Sequence, residues 1–206
     1  MEQITVKNQL ANKITMKRIC EILRSGGVVA APTDTVYGFL ADAGNEKAIN
    51  KVFEIKGRPR EKALPVFISS FDMLFKIANA ADSRVLKFLK ENWPGKITAV
   101  LPLRAGAGGY ICSLKETIAV RMPDSALILK IIRSFGGPVT GTSANISGRP
   151  EQTKIKNLIK EFERAPTRPD LVLNAGDLPR SRPSTVIDLT GWPPKILRQG
   201  AVNISY

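Results

Sequence analysis

The sequence predicts an α/β fold with a mixed sheet. Short apolar runs of strand type are interleaved with helix-period segments along the whole chain. Their order is irregular, and several links are too short for a helical crossover, which favours mixed over fully parallel strand directions. No linker divides the 206 residues, so a single domain spanning 1–206 is expected.

The elements follow in order. Thr15 is placed to cap a helix with Met16, Ile19, Cys20, Ile22 and Leu23 on one face, ended by Gly26-Gly27. Val28 to Ala31 reads as a buried strand that runs into a polar turn, Pro32-Thr33-Asp34-Thr35-Val36-Tyr37-Gly38. Asn45 caps the next helix, with Ala48, Ile49, Val52, Phe53 and Ile55 inward, and a basic loop at 56–62 follows directly. Leu64 to Ile68 is a strand, Ser70 caps a helix through Ala78, and Asp82 begins a helix that ends near Trp93-Pro94-Gly95. Ile97 to Leu103 is a strand. Gly106-Ala107-Gly108-Gly109 is a loop without the spacing of a dinucleotide or P-loop motif. Thr117 to Val120 is a strand, Ala126 to Phe135 an apolar helix closed by Gly136-Gly137, and Pro138 to Thr140 leads into Thr142-Ser143-Ala144-Asn145. A polar helix covers about 154–162, a loop 164–170, and late strands fall at 170–173, 184–189 and 195–197.

Composition restricts the chemistry. There are 31 Lys and Arg against 18 Asp and Glu, a net charge of +13. That is either a soluble basic surface or a field that attracts a polyanion such as a nucleotide or RNA. The chain has no His, which removes Ser-His-Asp triads, Cys-His pairs and His metal ligands. Cys20 and Cys112 are too few for a disulfide framework or a zinc site and are expected as reduced, partly buried thiols. With no long apolar run and no signal-like N-terminus, a cytoplasmic protein without a membrane span is expected. What remains is catalysis by positioning and charge stabilisation, with Mg²⁺ brought in on a nucleotide.

Two segments read as halves of one phosphate site. Lys56-Gly57-Arg58-Pro59-Arg60-Glu61-Lys62 packs four cations into seven residues, and Thr142-Ser143-Ala144-Asn145 offers three small hydrogen-bonding side chains after an apolar run. Lys56 and Arg58 would also suit the C-terminal turn of a helix without any ligand, but Gly57 and Pro59 shape the backbone in a way a solvated charge run does not need. Four polar clusters lie where an apolar strand ends: Thr33/Asp34/Thr35/Tyr37, Arg121/Asp124, Thr142/Ser143/Asn145 and Ser184/Thr185. Ligands of open α/β sheets bind outside strand ends. Arg121 suits a bidentate grip on a carboxylate or, equally, an ion pair with Asp124. From the residues alone, then, a basic pocket for a phosphate-bearing ligand is expected, and the reaction stays open.

Seven motifs in order carry a resemblance: Pro32-Thr33-Asp34-Thr35-Val36-Tyr37-Gly38; Lys56-Gly57-Arg58-Pro59; Trp93-Pro94-Gly95 with Thr98; Ala119 to Asp124; Thr142 to Gly148; Ser184 to Asp188; and Leu197-Arg198-Gln199-Gly200. Over about residues 15–201 the chain resembles the YrdC-like threonylcarbamoyl-AMP synthases. The resemblance implies a twisted mixed parallel and antiparallel sheet with flanking helices around a positively charged concavity. It implies formation of threonylcarbamoyl-AMP and pyrophosphate from L-threonine, bicarbonate and ATP with Mg²⁺. The product would pass to downstream machinery that makes N6-threonylcarbamoyladenosine at position 37 of tRNAs reading codons that start with A. It implies the short form of the family, without a further C-terminal domain. By position, Thr35, Arg121 and Ser184 would bind threonine. Lys56, Arg58, Lys62, Thr117, Ser143, Asn145 and Arg198 would bind ATP, with Lys56, Arg58, Ser143 and Asn145 as the catalytic set and no protein-held metal.

There are departures. Many relatives have Asn at the position of Lys62, His at that of Phe67 and His at that of Ser125. Phe67 cannot donate a hydrogen bond, so one polar contact to threonine should be missing. Glu151 stands where relatives often carry a small hydroxyl residue and is left outside the site. Direct binding of tRNA or double-stranded RNA is a further expectation. A non-catalytic RNA-binding module is the competing function, but the intact Lys56/Arg58 and Ser143/Asn145 pairs and an aromatic content of only 6% favour the enzyme. A carbamoyl-handling maturation factor is a third reading, which the shortage of cysteines disfavours.

Overall fold

The computed structural model describes residues 1–6, 11–107 and 116–204. Cys112, Gly108 and Gly109 therefore lie outside the described residues, while Cys20 is buried with its thiol free.

Helix starts are set by short polar side chains. Asn12, Asn45, Ser70, Asp82 and Ser125 each accept a main-chain N–H of the first turn, opening α1 (Lys13–Arg24), α2 (Glu46–Lys56), α3 (Phe71–Ile77), α4 (Ser83–Asn92) and α5 (Ala126–Phe135). Only α6 (Ile155–Phe162) lacks such a cap among the described helices. The α1 cap is Asn12, not Thr15. Asn12 Oδ1 accepts the Thr15 N–H at 2.8 Å, and Thr15 itself is buried on the inner face. At the end of α2, Gly57 takes φ +53°, a left-handed turn that brings the Arg58 N–H back to Phe53 O at 3.0 Å. This turn sends the basic loop away from the helix axis.

The strands are β1 (Glu2–Thr5), β2 (Val29–Pro32), β3 (Tyr37–Leu40), β4 (Val66–Phe67), β5 (Ile97–Pro102), β6 (Thr117–Arg121), β7 (Val139–Thr140), β8 (Thr142–Ser143), β9 (Leu171–Asn174), β10 (Thr185–Asp188) and β11 (Lys195–Arg198). Directions are mixed, as expected, but the strands divide between two sheets. One runs β1-β9-β2-β3-β8, the other β11-β10-β5-β6-β4-β7. The polar-looking Tyr37-Gly38 belongs to β3, not to the turn. Tyr37 is wholly buried, its hydroxyl donating to Gly176 O at 2.7 Å and accepting from Ala175 N at 3.1 Å. Once those partners exist, the phenol is a core residue.

Adjacent strands β7 and β8 lie in different sheets, and Gly141 is the residue on which the chain passes from one to the other. Its N–H donates to Pro65 O at 2.7 Å, and a Cβ on Gly141 would lie 2.2 Å from the Phe67 ring. The close approach needs glycine. Behind the sheets, two apolar clusters hold the layers. One centres on Phe39, Ile49, Leu64, Leu74 and Phe162, the other on Ile19, Leu23, Leu127, Ile131 and Leu171. Each such side chain contributes about 1.5–3 kcal/mol by leaving water. No described helix is long and apolar enough to cross a membrane.

Candidate active site

A cavity of ≈ 260 Å³ opens between the two sheets. From one sheet and its β2–β3 turn come Thr33, Thr35, Gly38 and Ser143; from the other come Phe67, Thr98, Arg121, Val186 and Arg198. Arg58 reaches it from the basic loop, Ser184 from just before β10 and Glu151 from the segment ahead of α6. The strand-end clusters thus converge on one space although they come from separate sheets.

Arg121 is 3% exposed and fixed on three sides. Its Nε donates to Gly95 O at 2.9 Å, its Nη2 donates to Asp34 Oδ2 at 2.6 Å, and its guanidinium lies 5.7 Å over the Phe67 ring. The ion-pair partner is Asp34, not Asp124; Asp124 gives its main-chain N–H to the same Asp34 oxygen, at 3.2 Å, and its charge adds a smaller pull on Arg121. Burial pushes the Arg121 pKa down, against the opposing pull of Asp34, and the charge of Arg198 adds to the lowering. Thr33 and Thr35 flank Asp34, and their hydroxyls meet at 3.1 Å. Thr98 and Ser184 hydroxyls meet at 2.8 Å across β5 and the start of β10.

Arg58 and Arg198 are held by main-chain oxygens. Arg58 Nε donates to Lys62 O at 3.1 Å and Nη2 to Ala63 O at 2.8 Å. Arg198 Nη2 donates to Ser184 O at 2.8 Å. The Arg58 pKa is lowered by burial and then by the charge of Arg198. Among the described residues neither Arg58 nor Arg198 is ion-paired, and two such cations on one cavity suit an anion.

Lys56 does not line the cavity. It is 2% exposed, and its three protons go to Ser143 O, Asn145 O (3.0 Å) and Asn145 Oδ1 (2.9 Å). Asn145 Oδ1 also accepts from Ser143 Oγ at 2.8 Å, and Asn145 Nδ2 donates to Arg149 O. In this conformation the ammonium has no proton left for a ligand and instead braces the turn that presents Ser143. Burial lowers its pKa to about 7, helped by the charge of Arg58 and opposed by Glu151 and Glu161.

Of the residues expected at the site, Thr35, Arg58, Arg121, Ser143, Ser184 and Arg198 line the cavity, and Lys56 and Asn145 lie directly behind Ser143. Lys62 contributes a main-chain oxygen to Arg58 while its side chain is exposed. Thr117 shares a face of β6 with Ala119 and Arg121 but lies outside the lining. Glu151, expected outside the site, is in its wall; no periodicity marks it. Phe67 lines the floor. Among the described residues no group of three or more His, Cys, Asp or Glu could hold a metal.

A family model for Sua5, YciO and YrdC proteins, described as telomere recombination, matches residues 21–200. The chain belongs to this Sua5/YciO/YrdC family. A threonylcarbamoyl-AMP synthase of Pyrococcus abyssi is 38% identical over 180 residues, covering 87% of this chain and 52% of the relative. One of Vibrio vulnificus is 32% identical over 187 residues, covering 90% of this chain and 98% of the relative. The crystal structure of P. abyssi Sua5 complexed with L-threonine superposes with a TM-score of 0.87 at 35% identity, over 97% of this chain and 58% of that one. This family member thus spans little more than half the length of the Pyrococcus proteins it matches.

Proposed function

We propose that the chain is a threonylcarbamoyl-AMP synthase. The observation that carries this reading is one cavity with two kinds of anion grip: a fixed, hydrogen-bonding Arg121 beside Thr35 and Ser184, and Arg58 and Arg198 beside Ser143, neither of them ion-paired among the described residues. The names of the P. abyssi and V. vulnificus relatives, and the threonine complex of the former, support the same assignment.

Arg121 would hold the threonine carboxylate, with Thr35 and Ser184 as further contacts. Arg58, Arg198 and Ser143 would hold the triphosphate, Lys56 and Asn145 setting the Ser143 turn; Lys62 and Thr117 would act at the nucleotide's edges. The threonine amine adds to bicarbonate to give a carbamate with loss of water. A carbamate oxygen then attacks the α-phosphorus, the bond to the β-phosphate oxygen breaks, and pyrophosphate leaves. Charge on the transferring group is stabilised by fixed cations, and positioning replaces a base. Mg²⁺ would arrive on the ATP. It commonly binds through one or two carboxylates plus substrate phosphates, and Glu151 in the wall would supply one carboxylate. Transfer machinery for tRNA would consume the product in the cytoplasm, and the +13 charge favours direct contact with tRNA or double-stranded RNA.

The test is pyrophosphate release from ATP and bicarbonate with and without L-threonine. Threonine-dependent release of pyrophosphate is expected; release that ignores threonine, or none at all, overturns the reading.

A further inference from the structure

Three arginines face the cavity, yet among the described residues only Arg121 has a carboxylate partner. Its partner Asp34 is itself 7% exposed, and the two charges are removed from water together. Asp34 Oδ2 accepts from both Arg121 and the Asp124 main chain, while Oδ1 is buried with no hydrogen-bond partner among the described residues. An orphaned carboxylate oxygen is costly to keep. A structure that needed only to aim Arg121 could do so with a neutral amide.

What the negative charge does is electrostatic. Arg198 acts on both Arg58 and Arg121, so without Asp34 only the weaker pull of Asp124 would offset Arg121, and the three cations would approach one continuous field. The ligand of highest negative charge would then occupy all of it. Arg121 retains three of its five N–H donors after those to Gly95 and Asp34, so a carboxylate can still be bound by hydrogen bonds.

We propose that Asp34 is a specificity-determining residue that masks the charge of Arg121. It divides the cavity into a neutral compartment for a zwitterionic amino acid and a cationic compartment for a polyphosphate. The proposal rests on the reading of Arg121 as the amino-acid carboxylate grip. It would keep a triphosphate or released pyrophosphate from taking the place of threonine.

The test is calorimetric titration of L-threonine into wild type and Asp34→Asn, each in chloride or in millimolar inorganic phosphate at matched ionic strength. Asn keeps an oxygen for Arg121 and Asp124 and removes only the charge. Phosphate should change the wild-type Kd for threonine by less than about twofold and weaken it about tenfold or more in Asp34→Asn. The phosphate affinity gained by Asp34→Asn should vanish in Asp34→Asn/Arg121→Gln. Equal phosphate sensitivity in wild type and Asp34→Asn overturns the masking. A wild type that binds no threonine overturns the assignment of Arg121 and the proposal with it. If Asp34→Asn does not fold, Asp34→Ser replaces it, and displacement of threonine by phosphate in wild type alone is already decisive against masking.

Discussion

Lys56 and Asn145 are joined twice by one ammonium, which donates to the main-chain oxygen of Asn145 at 3.0 Å and to its side-chain Oδ1 at 2.9 Å. The two residues are 89 positions apart, one ending α2 and the other closing the turn after β8. The contact is what makes two distant motifs a single site, because the same Oδ1 also fixes the Ser143 hydroxyl.

Lys56→Met therefore removes the brace and not merely a charge. Asn145 O loses its donor inside the protein, while Ser143 O keeps the Asn145 main-chain N–H at 3.0 Å. A buried, unsatisfied oxygen costs about 1–3 kcal/mol. The expected result is a lower melting temperature together with a higher KM for ATP, read by thermal denaturation and by steady-state kinetics. Wild-type stability with weakened ATP binding would instead mean that the ammonium serves the phosphates directly.

The same burial makes stability depend on pH. The Lys56 pKa is lowered to about 7 in the folded chain, while an unfolded lysine titrates at about 10.4. Between these values the unfolded chain binds more protons, so this group's contribution to stability rises with pH across that window and is lost as pH falls through 7. Thermal melts of wild type and Lys56→Met from pH 6 to 10 check it. The difference between the two should change in favour of wild type as pH rises, and a constant difference would be inconsistent with a depressed lysine.

Arg121 and Arg58 should separate the two substrates. A charge-assisted hydrogen bond contributes about 1.5–3 kcal/mol, so Arg121→Ala should raise the threonine KM at least about tenfold with little change for ATP. Arg58→Ala should do the reverse. Pyrophosphate-release kinetics with each substrate varied in turn measure both. An Arg121→Ala enzyme impaired only toward ATP would place the carboxylate grip elsewhere.

Much of this arrangement was legible in the sequence wherever its causes are local. The span of α5 follows from Ser125 before an apolar helical period and Gly136 after it, and both act within one turn of the helix. The strand-end hydroxyls and arginines marked the cavity because polar residues interrupting apolar runs are visible in one dimension. Strand β1 carries no such local signal. Its alternating, half-exposed Glu2–Thr5 resembles a polar terminus until it pairs with β9, 169 positions further along the chain. The division into two sheets was hidden for the same reason, since it depends on Gly141 passing between β7 and β8. In the sequence Asp34 is one member of a polar turn. Its pairing with Arg121 spans 87 positions, and Asp124 was the nearer and more obvious partner.

The contact between Gly141 and Phe67 is the sharpest steric constraint on the cavity. A Cβ at position 141 would stand 2.2 Å from two ring carbons of Phe67 and 2.6 Å from a third, so the ring must move. Phe67 is 3% exposed, pairs in register with Arg121 and underlies its guanidinium, so a displaced ring disturbs the amino-acid end of the cavity. Overpacking of this kind costs about 1–3 kcal/mol. Gly141→Ala should therefore lose stability and raise the threonine KM, and Phe67→Ala in the same chain should recover part of the stability because it removes the obstructing ring. In a double-mutant cycle by urea denaturation, the double variant should be more stable than the sum of the two single losses. Additivity within about 0.5 kcal/mol would show that the ring is not what position 141 accommodates.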